Sequence, residues 1–136
     1  MATGAIALRD FSAIARRWTT VRPIVVVCFC AAWCDTCMQF QQVYERLASE
    51  RPAMLFVWLD IEDDDLLTGQ IDIENFPTLA VYDGDWLLHF GVSLPHKGTV
   101  ARLIDELATR DEEVADAPQA VRELPRLFTR YVESAS

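Results

Sequence analysis

Residues Ile24-Val25-Val26-Val27-Cys28-Phe29, followed after Cys30-Ala31-Ala32 by Trp33-Cys34-Asp35-Thr36-Cys37, decide how the chain is read. The first six are apolar and mostly β-branched at consecutive positions, the pattern of a central strand buried on both faces. From Met38 onward the apolar residues change to helical spacing, with Phe40, Val43, Tyr44, Leu47 and Ala48 on one side. Cys34 therefore falls at a strand-to-helix junction, where unpaired amide N–H groups and the positive end of the helix dipole favour an anionic sulfur. Cys37 follows one turn later on the same helical face. A disulfide between the two can thus form and break with little backbone movement.

Working outward, Ala5–Leu8 reads as a short strand, and Asp10 as the cap of a helix over Phe11–Trp18 that Arg22-Pro23 ends. Downstream the long helix runs from about Cys34 to Glu50 and stops at Pro52, and Ala53–Leu59 is a second buried strand. The acidic run Glu62–Asp65 opens a short helix ending near Gly69. Leu79–Tyr82 is a strand, Asp83-Gly84-Asp85 a hairpin turn, and Trp86–Phe90 the strand returning antiparallel. Val100, Leu103, Ile104, Leu107 and Ala108 mark an amphipathic helix. The order βαβαβαββα predicts an α/β domain over 1–109, a mixed central sheet flanked by helices with a hairpin at one edge. Residues 110–136 read as an acidic linker and a C-terminal helical extension. Proline inside a helix costs about 3 kcal/mol, so a short turn is expected before Pro125 and a helix from about Pro125 to Glu133. Leu124, Leu127, Phe128, Tyr131 and Val132 would cover the domain or a partner, because left bare they make an apolar patch.

At 136 residues and 51% hydrophobic the chain is one domain with a packed core. Its net charge of −9 is unevenly placed: between Pro52 and His96 there is no Lys or Arg but there are nine acids, from Asp60 to Asp85. Such a surface argues against nucleic acid or an anionic membrane as partner and favours basic partner surfaces, or simply keeps the protein soluble. Met1–Asp10 lacks a charged start followed by a long apolar region, and Ile24–Ala32 is too short to span a bilayer, so a soluble cytoplasmic protein is expected. In a reducing compartment four cysteines point to redox or core roles rather than a disulfide framework.

The motif and element order resemble thioredoxin over roughly residues 5 to 109. The pieces that match are Trp33-Cys34-x-x-Cys37, Phe76-Pro77-Thr78 at the place of the family's cis-proline segment, Asp83-Gly84 at its hairpin, and Gly91 near the active-site rim. The resemblance implies a protein-disulfide oxidoreductase serving cell redox homeostasis, with no metal or organic cofactor. Cys34 would attack a target disulfide, and Cys37 would resolve the mixed disulfide. Trp33, Phe76, Pro77 and Gly91 would bind an extended target segment. A monomer is expected, or a dimer through the C-terminal segment.

Four positions depart from that pattern. Cys28 stands where the family has a buried acid, Trp58 where it has the partnering lysine, Cys30 where it has a tryptophan, and Asp35-Thr36 where it has Gly-Pro. Asp35 complements the helix N-terminus yet opposes negative charge on Cys34. Without the acid and lysine, Cys37 has no carboxylate to take its proton, so resolution should be slow. Cys28 and Cys30 share one face of the strand, about 6.6 Å apart at Cα, at the far limit for bonding to each other. They are expected to behave as small buried hydrophobes, leaving Cys34–Cys37 as the readily formed disulfide. Less favoured uses are exchange between Cys28 and Cys37 and a four-thiolate zinc site. His89 and His96 read as hairpin and loop surface residues. The rival reading, from a different class, is a thioredoxin-fold binding or assembly module whose cysteines are idle or regulatory.

Overall fold

A strand buried on both faces needs a covering layer on each, and the chain supplies both. The computed structural model describes residues 6–7, 24–31, 34–60, 77–84, 86–93, 95–109, 114 and 117–126. Their elements are β1 (Ile6–Ala7), β2 (Ile24–Cys30), α1 (Asp35–Glu50), β3 (Leu55–Asp60), β4 (Thr78–Asp83), β5 (Trp86–Val92), α2 (Lys97–Leu107) and α3 (Gln119–Arg122). The five strands form one sheet in the order β1-β3-β2-β4-β5. β3 runs parallel to both β1 and β2, and β4 is antiparallel to both β2 and β5. The helices expected over 11–18 and from Glu62 to Gly69 lie outside the described residues, as do Trp33 and Phe76.

Alternation along β2 divides the core. Val25, Val27 and Phe29 face one side with Leu55, Val57, Leu59, Ala80, Tyr82 and Leu87. Val26, Cys28 and Cys30 face the other, packed under α1 through Phe40, Tyr44 and Leu47 and under α2 through Val100, Ile104 and Leu107. Tyr44 organises this second layer. Its ring meets Phe40, Phe56 and Trp58 at centroid distances of 5.8, 5.3 and 5.6 Å, and its buried hydroxyl lies 2.8 and 2.9 Å from the carbonyls of Val26 and Val57. A phenol has a single proton to donate, so these two carbonyls share it. Gly84 takes a φ of 60° in the β4–β5 turn, a left-handed conformation that glycine adopts without a Cβ penalty.

Strand and helix bounds differ from expectation in a few places. β3 begins at Leu55 rather than Ala53 because 52–54 are turn and bend, and β5 continues through Gly91 and Val92. The C-terminal segment departs more. Instead of a turn up to Pro125, α3 occupies Gln119–Arg122, and 124–126 are helical again after a turn at Glu123. Proline is tolerated there because the first turn of a helix has no intrahelical acceptor for its missing N–H.

The segment seats itself on the face opposite α1 by burying Val121 and Leu124 among the β2, β3 and β4 side chains. The Tyr82 hydroxyl donates to the Val121 carbonyl at 2.7 Å, and the Val114 N–H donates to the Leu87 carbonyl at 2.7 Å. Tyr82→Phe would leave that buried carbonyl without this donor. The expected loss is about 1–2 kcal/mol in denaturant unfolding, together with faster amide exchange over 119–126. An unchanged midpoint would mean that the segment is held by apolar contact alone.

Two polar links tie the end of α1 to α2. Arg51 makes a two-pronged contact to Asp105 at 3.0 and 2.9 Å, and Lys97 meets Glu50 at 2.6 Å. The Arg51 guanidinium holds the Asp105 carboxyl below its ordinary range. Its stabilisation is therefore present above the ordinary carboxylate range and is lost as acid protonates Asp105. Asp105 is largely in water, so Arg51→Ala should cost no more than about 1 kcal/mol, and added salt should shrink the difference.

Candidate functional site

Cys28, Cys30 and Cys37 come together between the carboxyl end of β2 and the first turn of α1, and Cys34 stands at the start of that helix. Cys34 is the N-cap residue, extended at φ −91° and ψ 120°, and its side chain makes no capping bond. It is half-exposed, whereas Cys28, Cys30 and Cys37 are buried. Helical geometry turns Cys37, the third residue of α1, down onto the sheet, and strand alternation turns Cys30 up to meet it. The two are joined in a disulfide with a Cα–Cα distance of 5.7 Å, within the ordinary span of such bonds.

This corrects the expected pairing: the partner of Cys37 is Cys30, seven residues earlier, and Cys34 is a free thiol. The physical reason is direction. Cys37 points into the core at the last inward position of β2, while Cys34 stands at the rim. Cys30 is likewise corrected from an inert core residue to a bonded one. Cys28 remains a free, buried thiol and is not bonded to Cys30.

Two donors serve the buried bond. The Ala31 N–H lies 3.4 Å from the Cys37 Sγ, and the Cys28 thiol lies 3.8 Å from the Cys30 Sγ. Burial pushes the Cys28 thiol well above its ordinary range, so it stays protonated and can act as that donor. The Tyr44 phenol is also pushed up, first by burial and then by the nearby Cys28 sulfur. Trp58 is half-buried against the Tyr44 ring. At the two positions read as lacking the family's acid and lysine, the layer is therefore filled by a thiol and by an indole packed at a tilt against Tyr44.

The other expected site residues divide by position. Pro77 is buried and immediately precedes Thr78, which pairs with Phe29 of β2, so Pro77 stands at the same end of the sheet as Cys30. Its carbonyl accepts the Ser93 N–H at 3.0 Å, which fastens the start of β4 to the end of β5. Gly91 pairs with Leu79 of β4, which in turn pairs with Cys28 of β2. Asp35 is exposed and Thr36 half-exposed on the first turn of α1. His89 is half-buried in β5, less open than the surface position expected for it, and His96 is the exposed N-cap of α2. Among the described residues no group of three or more His, Cys, Asp or Glu side chains is arranged so that it could hold a metal ion.

Sequence reasoning missed Cys30 as a bonding partner and Tyr44 as the hub beneath the cysteines. The inward alternation of Cys28 and Cys30 was the signal for the first. It also left unremarked the exposure of Met38, an apolar side chain 60% exposed one turn after Cys34 on the same helical face.

Set against known proteins, residues 11–93 match the family model described as Thioredoxin. A thioredoxin of Chlamydia muridarum is 30% identical over 83 residues, 61% of this chain and 81% of that protein. Putative thioredoxin H10 of Arabidopsis thaliana is 38% identical over 57 residues, which span 42% of this chain but only 37% of the relative. Among solved structures, a thioredoxin from Trypanosoma brucei brucei superposes with a TM-score of 0.64 at 17% identity, covering 81% of this chain and 96% of that one. Thioredoxin O1 from Arabidopsis thaliana in its oxidised state gives 0.62 at 20% identity, over 78% and 99% of the two chains. The mixed sheet, the helix-borne cysteines at its end and the match over 11–93 together place this chain in the thioredoxin family.

Proposed function

We propose that the protein is a thiol-disulfide oxidoreductase acting on protein disulfides, with Cys34 as the attacking thiol and Cys37 as the resolving one. The observation that carries this reading is the division of labour among the sulfurs. Cys34 is a free, half-exposed thiol at the start of α1, directly above a buried sulfur pair that is bonded. Once a dithiol has reduced the Cys30–Cys37 bond, so that Cys37 is a free thiol, the Cys34 sulfur, as thiolate, attacks one sulfur of a target disulfide and joins it, and the other target sulfur leaves as a thiol. Cys37 then attacks the Cys34 sulfur, releases the second target thiol and leaves the protein oxidised by two electrons. An external dithiol restores it. Apolar surface at Met38, beside Cys34, and the Pro77 segment at the same end of the sheet would receive an extended target segment.

A second reading has one specific observation in its favour. With Cys37 tied to Cys30, Cys34 has no resolving partner, which suits a module that holds its partner. Turnover separates the two. In the presence of a dithiol the protein should reduce a model protein disulfide well above the rate of the dithiol alone. A rate equal to the dithiol alone would sink the oxidoreductase reading in favour of the holding module.

A further inference from the structure

We propose that Cys30 is a third redox cysteine, which takes Cys37 away from Cys34 and so converts a turning-over dithiol into a single-thiol form that keeps its target bound. The inference rests on the oxidoreductase reading above and says how that activity is regulated. Three facts lead to it. Cys37 sits between two candidate partners, Cys34 three residues before it at the rim and Cys30 beneath it in β2. The bond present is the inner one, and the rim thiol is free. Each sulfur of the inner bond also has its own donor, the Ala31 N–H on Cys37 and the Cys28 thiol on Cys30.

The step balances without an added oxidant. Reduction of a target leaves Cys34 bonded to Cys37. The Cys30 sulfur then attacks the Cys37 sulfur, giving up its proton as the new bond forms. The Cys34–Cys37 bond breaks, and Cys34 leaves as a thiolate that takes up a proton. Two electrons were withdrawn when the target was reduced, and none moves out of the protein in this exchange. The Cys28 thiol, 3.8 Å from the Cys30 Sγ, can donate to that sulfur as it becomes the attacking thiolate. The product differs from the starting disulfide in two useful ways. Its bond is buried, with Cys30 and Cys37 at 0% and 1% exposure, so an external dithiol reaches it poorly. Its rim thiol can attack a second target disulfide, yet nothing resolves the adduct that follows. The protein would thus work as a reductase while the reductant supply is ample, and as a covalent holder of target proteins once that supply fails.

The test begins with mapping that needs no variant. Fully reduced protein is treated with one equivalent of a model protein disulfide, quenched in acid, alkylated and digested. The expected product carries a Cys30–Cys37 linkage and an alkylated Cys34. A stable Cys34–Cys37 linkage with Cys30 unbonded would overturn the relay and leave the oxidoreductase reading standing. A second equivalent of target should then leave a persistent Cys34 adduct on the oxidised wild-type protein. Cys30→Ala should lose that adduct and, with a dithiol, turn over faster than wild type. An adduct as persistent in Cys30→Ala as in wild type would also overturn the relay. No turnover by either protein would instead overturn the oxidoreductase reading, and the relay with it.

Discussion

Cys34→Ser is expected to reduce turnover of a protein disulfide to the rate of the dithiol alone and to leave no covalent adduct, whereas Cys37→Ser should abolish turnover but accumulate target on Cys34. The difference follows from which sulfur does what. The thiolate is the nucleophile in disulfide exchange, and a serine hydroxyl neither ionises near neutral pH nor forms the mixed disulfide. The fall should therefore be roughly two orders of magnitude or more, limited only by the direct reaction of dithiol with target. Without Cys37 the first attack is untouched, because Cys34 stands free at the rim. Release of the second target thiol is what stops. Non-reducing electrophoresis and intact mass after mixing with target distinguish the two variants. Equal adducts in both would place the attacking sulfur elsewhere. A Cys37→Ser protein that releases both target thiols in the absence of dithiol would mean that Cys30 resolves directly.

The other large effect expected is on stability, from Cys28→Asp. Cys28 is wholly buried between β3 and β4, with the Cys30 sulfur and the Tyr44 ring as neighbours and Trp58 opposite it in the register of β3. Among the described residues no lysine faces this position: its β3 partner is Trp58, whose ring packs at a tilt against Tyr44. A fully buried carboxyl is commonly shifted up by three units or more, and at about 1.36 kcal/mol per unit the variant should lose about 4 kcal/mol at neutral pH. That is a large share of the roughly 5–15 kcal/mol typical of a domain. The folded-state value of an acid shifted upward exceeds its unfolded value, so the unfolded chain sheds the proton first. Stability relative to wild type should then fall as pH rises from about 4 through the folded-state value, and recover in acid. Urea unfolding of both proteins at several pH values checks it. A loss that does not vary with pH would mean that the carboxyl finds a cation or water in the folded protein.

The strands and the two long helices that the structure describes were legible because each rests on a local pattern. The six-residue apolar run reads as a strand covered on both faces because it is short and rich in β-branched residues, and the switch to helical spacing after Cys37 reads as an amphipathic helix. Pro52 ended that helix for reasons internal to proline. The match to the family followed from the same local features, the cysteine pair, the Pro77 segment and the hairpin, set in that order. Even Cys28 and Cys30 were correctly placed on one face, since alternation along a strand needs no tertiary information.

What the sequence could not decide was which neighbours meet across space. Spacing alone makes Cys34 and Cys37 partners, because residues three apart on a helix are adjacent. Yet spacing says nothing of what lies underneath. Packing α1 on β2 turns Cys37 downward onto Cys30, and the bond joins two elements whose relative placement is set by Phe40, Tyr44 and Leu47 in the layer between helix and sheet. In the same way no local pattern connects Tyr82 to Val121, thirty-nine residues away, because that hydrogen bond exists only once the C-terminal segment lies on the sheet. The sequence by itself determined the elements and the residues capable of redox chemistry, since propensity and periodicity act within a few residues. The tertiary structure alone decided which sulfur holds Cys37, since disulfide formation depends on the distance and direction of side chains brought together by packing.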